Sequence, residues 1–380
     1  MNRRSVLICS WALAAAIMCV GAAAQSQIAE SQADGPYVVR TAAGWEARSI
    51  EVSPEGAVAR VRTLEADATL EVPGVGDVPG FRVELRPPAK AAPDVVATAS
   101  GAPLFVVADT HGEFAILVEM LRKQGIVDAR LEWSFGNGHL VLLGDVFDRG
   151  PNQIEILWLI YQLEAAAAKA GGGVHLALGN HEAMVLGGDL RYLNAKYPNT
   201  AQVLGVDDYA ALFGADSVLG QWLRTKPAAM KINDLLCLHG GISREVVERA
   251  LTLQQINASL SDVLKGTAMS ARDRERAAFV IGPRGPLWYR GYFADREGMP
   301  GATSQDIDLI RKHFGVNRIL VGHTRVSTVT ALYEGRVIAV QVYPHRDAAG
   351  RPVMESLRIE EGRLFRAKID GARELLEAQQ

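Results

Sequence analysis

Five short apolar runs, each stopping abruptly at polar residues, constrain this chain more than any other feature. They are PLFVVAD, HLVLLGD, GVHLALGN, LLCLHGG and RILVGHT. Between them lie helical patterns. EFAILVEMLRKQG is amphipathic and closed by Gly125, and a second helix is expected from about Pro151 to Ala170, with proline where its missing N–H costs nothing. Continuous apolar runs alternating with helices predict an α/β fold whose sheet is buried on both faces. In open α/β sheets ligands gather at the carboxyl ends of strands. Here those ends carry Asp109 and His111; Asp145, Asp148 and Arg149; Asn180 and His181; His239; and His323.

Isolated Asp-x-His or Asn-His-Glu triplets have ordinary structural uses. Five such clusters, each placing polar groups beside a core, are hard to explain that way. Carboxylate, imidazole and amide donors suit a pair of divalent cations such as Mn, Fe or Zn, and with no cysteine in the set a structural thiolate-zinc site is excluded. One aspartate can bridge two cations roughly 3.5–4 Å apart. Gly112, Gly144, Gly179, Gly240 and Gly322 flank the polar residues, where backbone must turn or approach a ligand closely.

In this order and spacing, Asp-x-His-Gly, Gly-Asp-x-x-Asp-Arg-Gly, Gly-Asn-His-Glu, His-Gly-Gly and a late Gly-His-Thr resemble the calcineurin-like metallophosphoesterase superfamily. Asp-Arg-Gly and Asn-His-Glu resemble its phosphoprotein phosphatase branch, and GNHEAMVLGGDLRY and GPLWYRGYF its Shewanella-like bacterial phosphatases. The resemblance spans about residues 103 to 345 and does not reach the N-terminal part. It implies a β-sandwich flanked by helices and a dinuclear centre whose bound hydroxide attacks phosphorus in line. It also implies Asp109 and His111 on a first metal, Asp145 bridging, and Asn180, His239 and His323 on a second. Arg149 and Arg290 would clamp phosphate oxygens alongside Asn180. His181 would be the general acid, oriented by Asp148.

Two departures from the family pattern stand out. Ala108 occupies a position usually held by glycine, and a methyl there is expected to be tolerated while bearing on the backbone carrying Asp109. Nothing after His323 resembles the Ser-Ala-Pro-Asn-Tyr-Cys stretch of the eukaryotic enzymes, so sensitivity to their toxin inhibitors is not expected.

Outside the motifs, residues 1–24 have the layout of an export signal. Arg3 and Arg4 precede an apolar run from Val6 to Val20 and a small-residue stretch, Ala22 to Ala24. NRRSVLI also resembles a twin-arginine signal. The expectation is a periplasmic or secreted protein, with an uncleaved N-terminal anchor as the only alternative membrane contact. Losing the segment takes the formal charge from -3 to -5 and leaves Cys237 as the one cysteine, so no internal disulfide can form. Cys237 reads as a core residue. With no basic run, nucleic acid is not an expected partner.

Residues 25–100 alternate in short strand-like pieces and read as a small β-rich module. PPAKAAPDVVATASGAP marks a boundary near residue 100. Residues 101–345 form the catalytic domain, and 346–380 C-terminal strands and a tail. Trp222, Trp288 and Tyr292 are candidates for the cleft wall or the core, and ARDRERAAF for a solvated helical face. No sequence signal fixes an oligomeric state.

Three functions compete. The first is a phosphomonoesterase acting on phosphoproteins, at phosphotyrosine or at phosphoserine and phosphothreonine. The second is a nucleotide or dinucleoside polyphosphate hydrolase using the same site. The third is a silent binding protein, against which stands the presence of every proposed ligand, both arginines and the acid.

Overall fold

Strand Leu104–Val107 shows how the core is laid down. Leu104 and Val106 point into one apolar cluster and Phe105 and Val107 into another, as the two-residue period of a strand requires when both faces are buried. The computed structural model describes residues 33–42, 44–65, 68–87, 90–293 and 301–377; the expected export signal lies outside them.

Two sheets face each other. In the first, Leu104–Val107, His139–Leu142 and Gly173–Leu176 run parallel, and Pro352–Glu360 joins antiparallel to Leu104–Val107. Arg363–Lys368 and Arg373–Leu375 extend that edge, so the C-terminal strands complete the sheet. In the second, Leu235–Leu238, Arg318–Val321 and Val337–Ala339 run parallel, with Ala229–Ile232 and Thr330–Leu332 antiparallel on either side. Val106, Val141 and Leu143 meet Ile232, Cys237, Leu320 and Ile338 between the sheets. The outer faces are covered by helices, among them Phe114–Lys123 and Gln153–Lys169. The sandwich flanked by helices is therefore present. None of the described helices is long and apolar enough to cross a membrane.

The N-terminal strands Asp34–Thr41, Gly44–Ser53 and Gly56–Leu64 form an antiparallel sheet, and Thr69–Val72 pairs with Phe81–Glu84. Their inward residues Tyr37, Trp45, Leu70, Phe81 and Val83 belong to the same buried cluster as Ile156, Leu157 and Trp158 of helix Gln153–Lys169. The Trp158 indole N–H donates to the Pro36 carbonyl at 2.8 Å. The Ala- and Pro-rich stretch is not a bare linker either, since Val95–Val96 pairs with Lys231 and Ile232 at the edge of the second sheet. Ala108, 3% exposed, is accommodated in the inter-sheet core, in the same cluster as Leu143 and Ala177.

Helix ends follow local chemistry. Thr303 and Asp306 form a reciprocal cap at the start of Ser304–Phe314, which Gly315 ends in a left-handed turn. Helix Ala271–Val280, capped by Ser270, buries only Ala277 and Val280, as a solvated face would.

Candidate active site

Six site residues share a backbone conformation that L-residues rarely adopt. Asp109, His111, Asp145, Asp148, Arg149 and His323 have φ of 47°, 42°, 57°, 70°, 68° and 61°. Left-handed backbone in non-glycine residues persists only where the surroundings enforce it, and it concentrates at functional sites. One enforcing group is Glu182, which is fully buried. Its Oε2 accepts the N–H groups of Asp145 (2.8 Å) and Gly179 (2.7 Å), and its Oε1 those of Val146 (2.7 Å) and Phe147 (3.1 Å). Burial and nearby Asp145 push the Glu182 carboxyl above its ordinary range. Accepting four N–H bonds nevertheless requires the ionised form, and the geometry decides in its favour.

The two proposed metal-facing aspartates are held alike. Asp145 Oδ1 accepts the His181 N–H and Asp109 Oδ1 the His323 N–H, each at 3.0 Å, which leaves each Oδ2 for the cluster. A side chain on Gly179 would collide with Asp145 Oδ1, and one on Gly322 with Asp109 Oδ1. These two glycines are therefore needed for close approach.

The imidazoles are oriented from behind. His111 Nδ1 faces the Phe147 carbonyl and His239 Nδ1 the Leu143 carbonyl, both at 2.8 Å, turning each Nε2 inward. Around Asp145 Oδ2 lie His239 Nε2 at 3.0 Å, His181 Nε2 at 3.7 Å and His111 Nε2 at 3.8 Å. His111 Nε2 is also 3.9 Å from Asp109 Oδ2. His239 Nε2 is 3.0 Å from Asn180 Oδ1 and 3.1 Å from His323 Nδ1.

Burial opposes charge on His239, but Asp145 and Asp109 outweigh it and push its pKa up to about 9. Burial dominates at His111, lowered to about 3, and at His323, also lowered, where the positive charges of His239 and Arg290 add to it. Burial also works against charge on His181, yet Asp145 and Asp148 hold its pKa above the ordinary value.

His181 Nδ1 is 2.5 Å from Asp148 Oδ2. Its ring, 3% exposed, lies 5.4 Å from that of Tyr192, which is 47% exposed. Arg149 is exposed at the rim, its guanidinium 5.9 Å from the Tyr343 ring. Arg290 lies on a loop whose Pro286 carbonyl accepts the Gly240 N–H at 2.9 Å, on the His323 side. All ten residues singled out in the sequence thus converge.

Residues 102–326 match the Calcineurin-like phosphoesterase family. The chain belongs to the calcineurin-like phosphoesterase family. It is therefore a hydrolase of phosphate esters, in a family that works with divalent metals. Among solved structures it is similar to the cold-active protein-tyrosine phosphatase of a psychrophilic Shewanella, with 37% identity and a TM-score of 0.79 over 91% of this chain and 99% of that one. A likeness of that extent takes in residues outside 103–345, so the similarity is broader than the motifs alone convey. The Shewanella-like protein phosphatase 2 of Arabidopsis thaliana is 24% identical over 68% of this chain and 76% of its own. A symmetrical bis(5'-nucleosyl)-tetraphosphatase of Vibrio cholerae is 31% identical over 37% of this chain and 44% of its own.

The donor set of this calcineurin-like chain fits divalent metals. Two triads, His111–Asp145–His181 and Asp145–His239–His323, bring ligand atoms within 4.8 Å of one another and share Asp145. His111 Nε2 is buried without a hydrogen-bond partner, as a metal-facing nitrogen would be, and His323 turns its Nδ1 to the cluster, 3.1 Å from His239 Nε2. The first triad contains His181 where the sequence places Asp109. Asp109 Oδ2 lies 3.9 Å from His111 Nε2, and His181 Nδ1 is taken by Asp148, so both residues stand within the cluster.

Several residues were not found from sequence. Glu182 and Gln153 support the loops. Tyr343 flanks His111 at 5.8 Å between centroids, and the Arg325 guanidinium stands 5.5 Å from the centre of the same tyrosine ring. Of the three aromatic candidates only Trp288 borders the site, 5.6 Å from His323. Trp222 and Tyr292 are buried in the core. Cys237 is fully buried, and burial pushes its thiol up to about 12, which removes it as a nucleophile.

Proposed function

We propose that this protein is an exported protein phosphatase with a preference for phosphotyrosine. The rim of the site carries this reading. Tyr192, Tyr343 and Trp288 stand beside His181, His111 and His323 respectively, and Arg149 and Arg325 flank Tyr343. Aromatic walls next to paired guanidinium groups suit an aryl phosphate, whose ring stacks while its oxygens take charge-assisted hydrogen bonds. The likeness to a tyrosine phosphatase over nearly all of both chains supports the same substrate. The arginine pair, apolar run and alanines of residues 1–24 support export.

Asp109, His111, Asp145, Asn180, His239 and His323 would hold two divalent ions. Those ions supply Lewis acidity, polarising the phosphoryl group and making water nucleophilic near neutral pH. Arg149 and Arg290, with Asn180, bind and orient the phosphoryl oxygens and neutralise charge that develops on them. His181, its Nδ1 held by Asp148, presents Nε2 and its proton to the leaving oxygen. Release of a poor leaving group depends on that proton.

The test is phosphate release by the purified chain with Mn²⁺, across phosphotyrosine, phosphoserine and phosphothreonine peptides and a nucleotide panel, with Asp145→Asn as blank. Preference for phosphotyrosine peptides is expected. Preference for dinucleoside polyphosphates would transfer the protein to the small-molecule branch.

A further inference from the structure

The N-terminal strands reach the reacting groups through a continuous line of buried polar side chains. Asp34, on the first strand, is 5% exposed. Its carboxylate accepts from the Tyr37 hydroxyl (2.6 Å) and the Thr200 hydroxyl (2.7 Å), and lies 2.9 Å from Lys196 Nζ. The hydroxyls of Tyr37 and Tyr209 are 3.2 Å apart. Gln153 Nε2 donates to the Tyr209 oxygen at 2.6 Å, and Gln153 Oε1 accepts the Asp148 N–H at 2.8 Å. Asp148 then holds His181. Tyr37, Tyr209, Gln153 and Asp148 are all 1% exposed or less.

Counting protons gives this line one direction. Each tyrosine has a single hydroxyl proton. That of Tyr37 goes to the Asp34 carboxylate, so its oxygen receives the proton of Tyr209, whose oxygen in turn receives the amide N–H of Gln153. The amide of Gln153 is thereby fixed, with its oxygen toward Asp148. At that point the backbone is left-handed at both Asp148 and Arg149, a turn that needs an outside hold.

We propose that Gln153 and Tyr209 are positioning residues, anchored by Tyr37 and Asp34, that aim the Asp148–His181 pair at the leaving oxygen. The proposal rests on His181 being the general acid. It gives the N-terminal strands a part in turnover, although none of their residues touches substrate.

The experiment measures kcat, KM and metal content of the full chain carrying Gln153→Met or Tyr209→Phe, on 4-nitrophenyl phosphate, phenyl phosphate and a phosphoserine peptide. These leaving groups need protonation to increasing degrees. Gln153→Met is expected to lower kcat about tenfold on the two poorer leaving groups, with 4-nitrophenyl phosphate within about twofold. KM and metal content are expected to stay unchanged. Tyr209→Phe, which keeps the ring, should act in the same direction to a smaller extent, and it carries the test alone if Gln153→Met does not fold. Gln153→Met added to His181→Asn should cost nothing further. Equal loss on all three substrates, no loss on any, or an additive double variant would overturn the proposal. His181→Asn alone separates the two ideas. If it shows no dependence on the leaving group, the acid assignment fails; if it does and the Gln153 and Tyr209 variants do not, only the positioning line fails.

Discussion

Glu182→Gln isolates the backbone clamp beneath the site. The substitution conserves volume and opens no cavity, and it changes only what one terminal atom can accept. Glu182 takes two N–H groups on each oxygen, at 2.7 to 3.1 Å. A glutamine retains one oxygen, so two buried backbone N–H groups would face its amide nitrogen with no acceptor. Each such orphan costs about 1–3 kcal/mol, giving about 2–6 kcal/mol for the pair. The left-handed turn at Asp145 is held by these same bonds, so metal retention should fall along with stability. Urea unfolding followed by circular dichroism reads the first effect, and metal content after gel filtration the second. A variant that unfolds at the wild-type urea concentration and keeps its full metal complement would show that the clamp does not shape the site.

Two further outcomes are expected. Tyr343→Ala should raise KM for a phosphotyrosine peptide about 2- to 10-fold and leave a phosphoserine peptide nearly unchanged, since an aromatic contact contributes about 0.5–1.5 kcal/mol beyond its area. His139 and His175 stack 5.2 Å apart with Nδ1 to Nε2 at 2.9 Å, away from the site. Burial lowers both, His175 to about 4. A histidine depressed in the folded state favours folding above its unfolded pKa, so stability should decline as pH falls from about 6.5 toward 4, by about 3 kcal/mol from His175. His175→Asn should flatten that decline in a series of denaturation midpoints.

The chemistry of the site was legible because it is written locally. Each strand ends at its functional residue, and the motif order carries the rest. What escaped the sequence is what depends on distant partners. Glu182 belongs to an Asn-His-Glu triplet that reads equally well as a helix start, and nothing local says that its carboxylate reaches back to Asp145, Val146 and Phe147. Tyr192 ends the quoted GNHEAMVLGGDLRY stretch and Tyr343 lies on the short strand Val342–Arg346, but no local pattern says that either ring stands beside a site histidine. The alternation in residues 34–64 correctly signalled strands. An alternating strand buries one face against something, though, and the pattern does not reveal that the something is helix Gln153–Lys169.

That shared core bears on how the chain can be divided. Trp158, Leu157 and Ile156 are fully buried, with N-terminal strands over them. A fragment begun at the first residue of the family match would uncover an indole and several aliphatic side chains along one helix, together with the N–H that Pro36 accepts. Such a fragment is expected to stick to itself. The unit expected to be expressed or transplanted intact therefore includes the strands from Asp34 onward and does not start at residue 102.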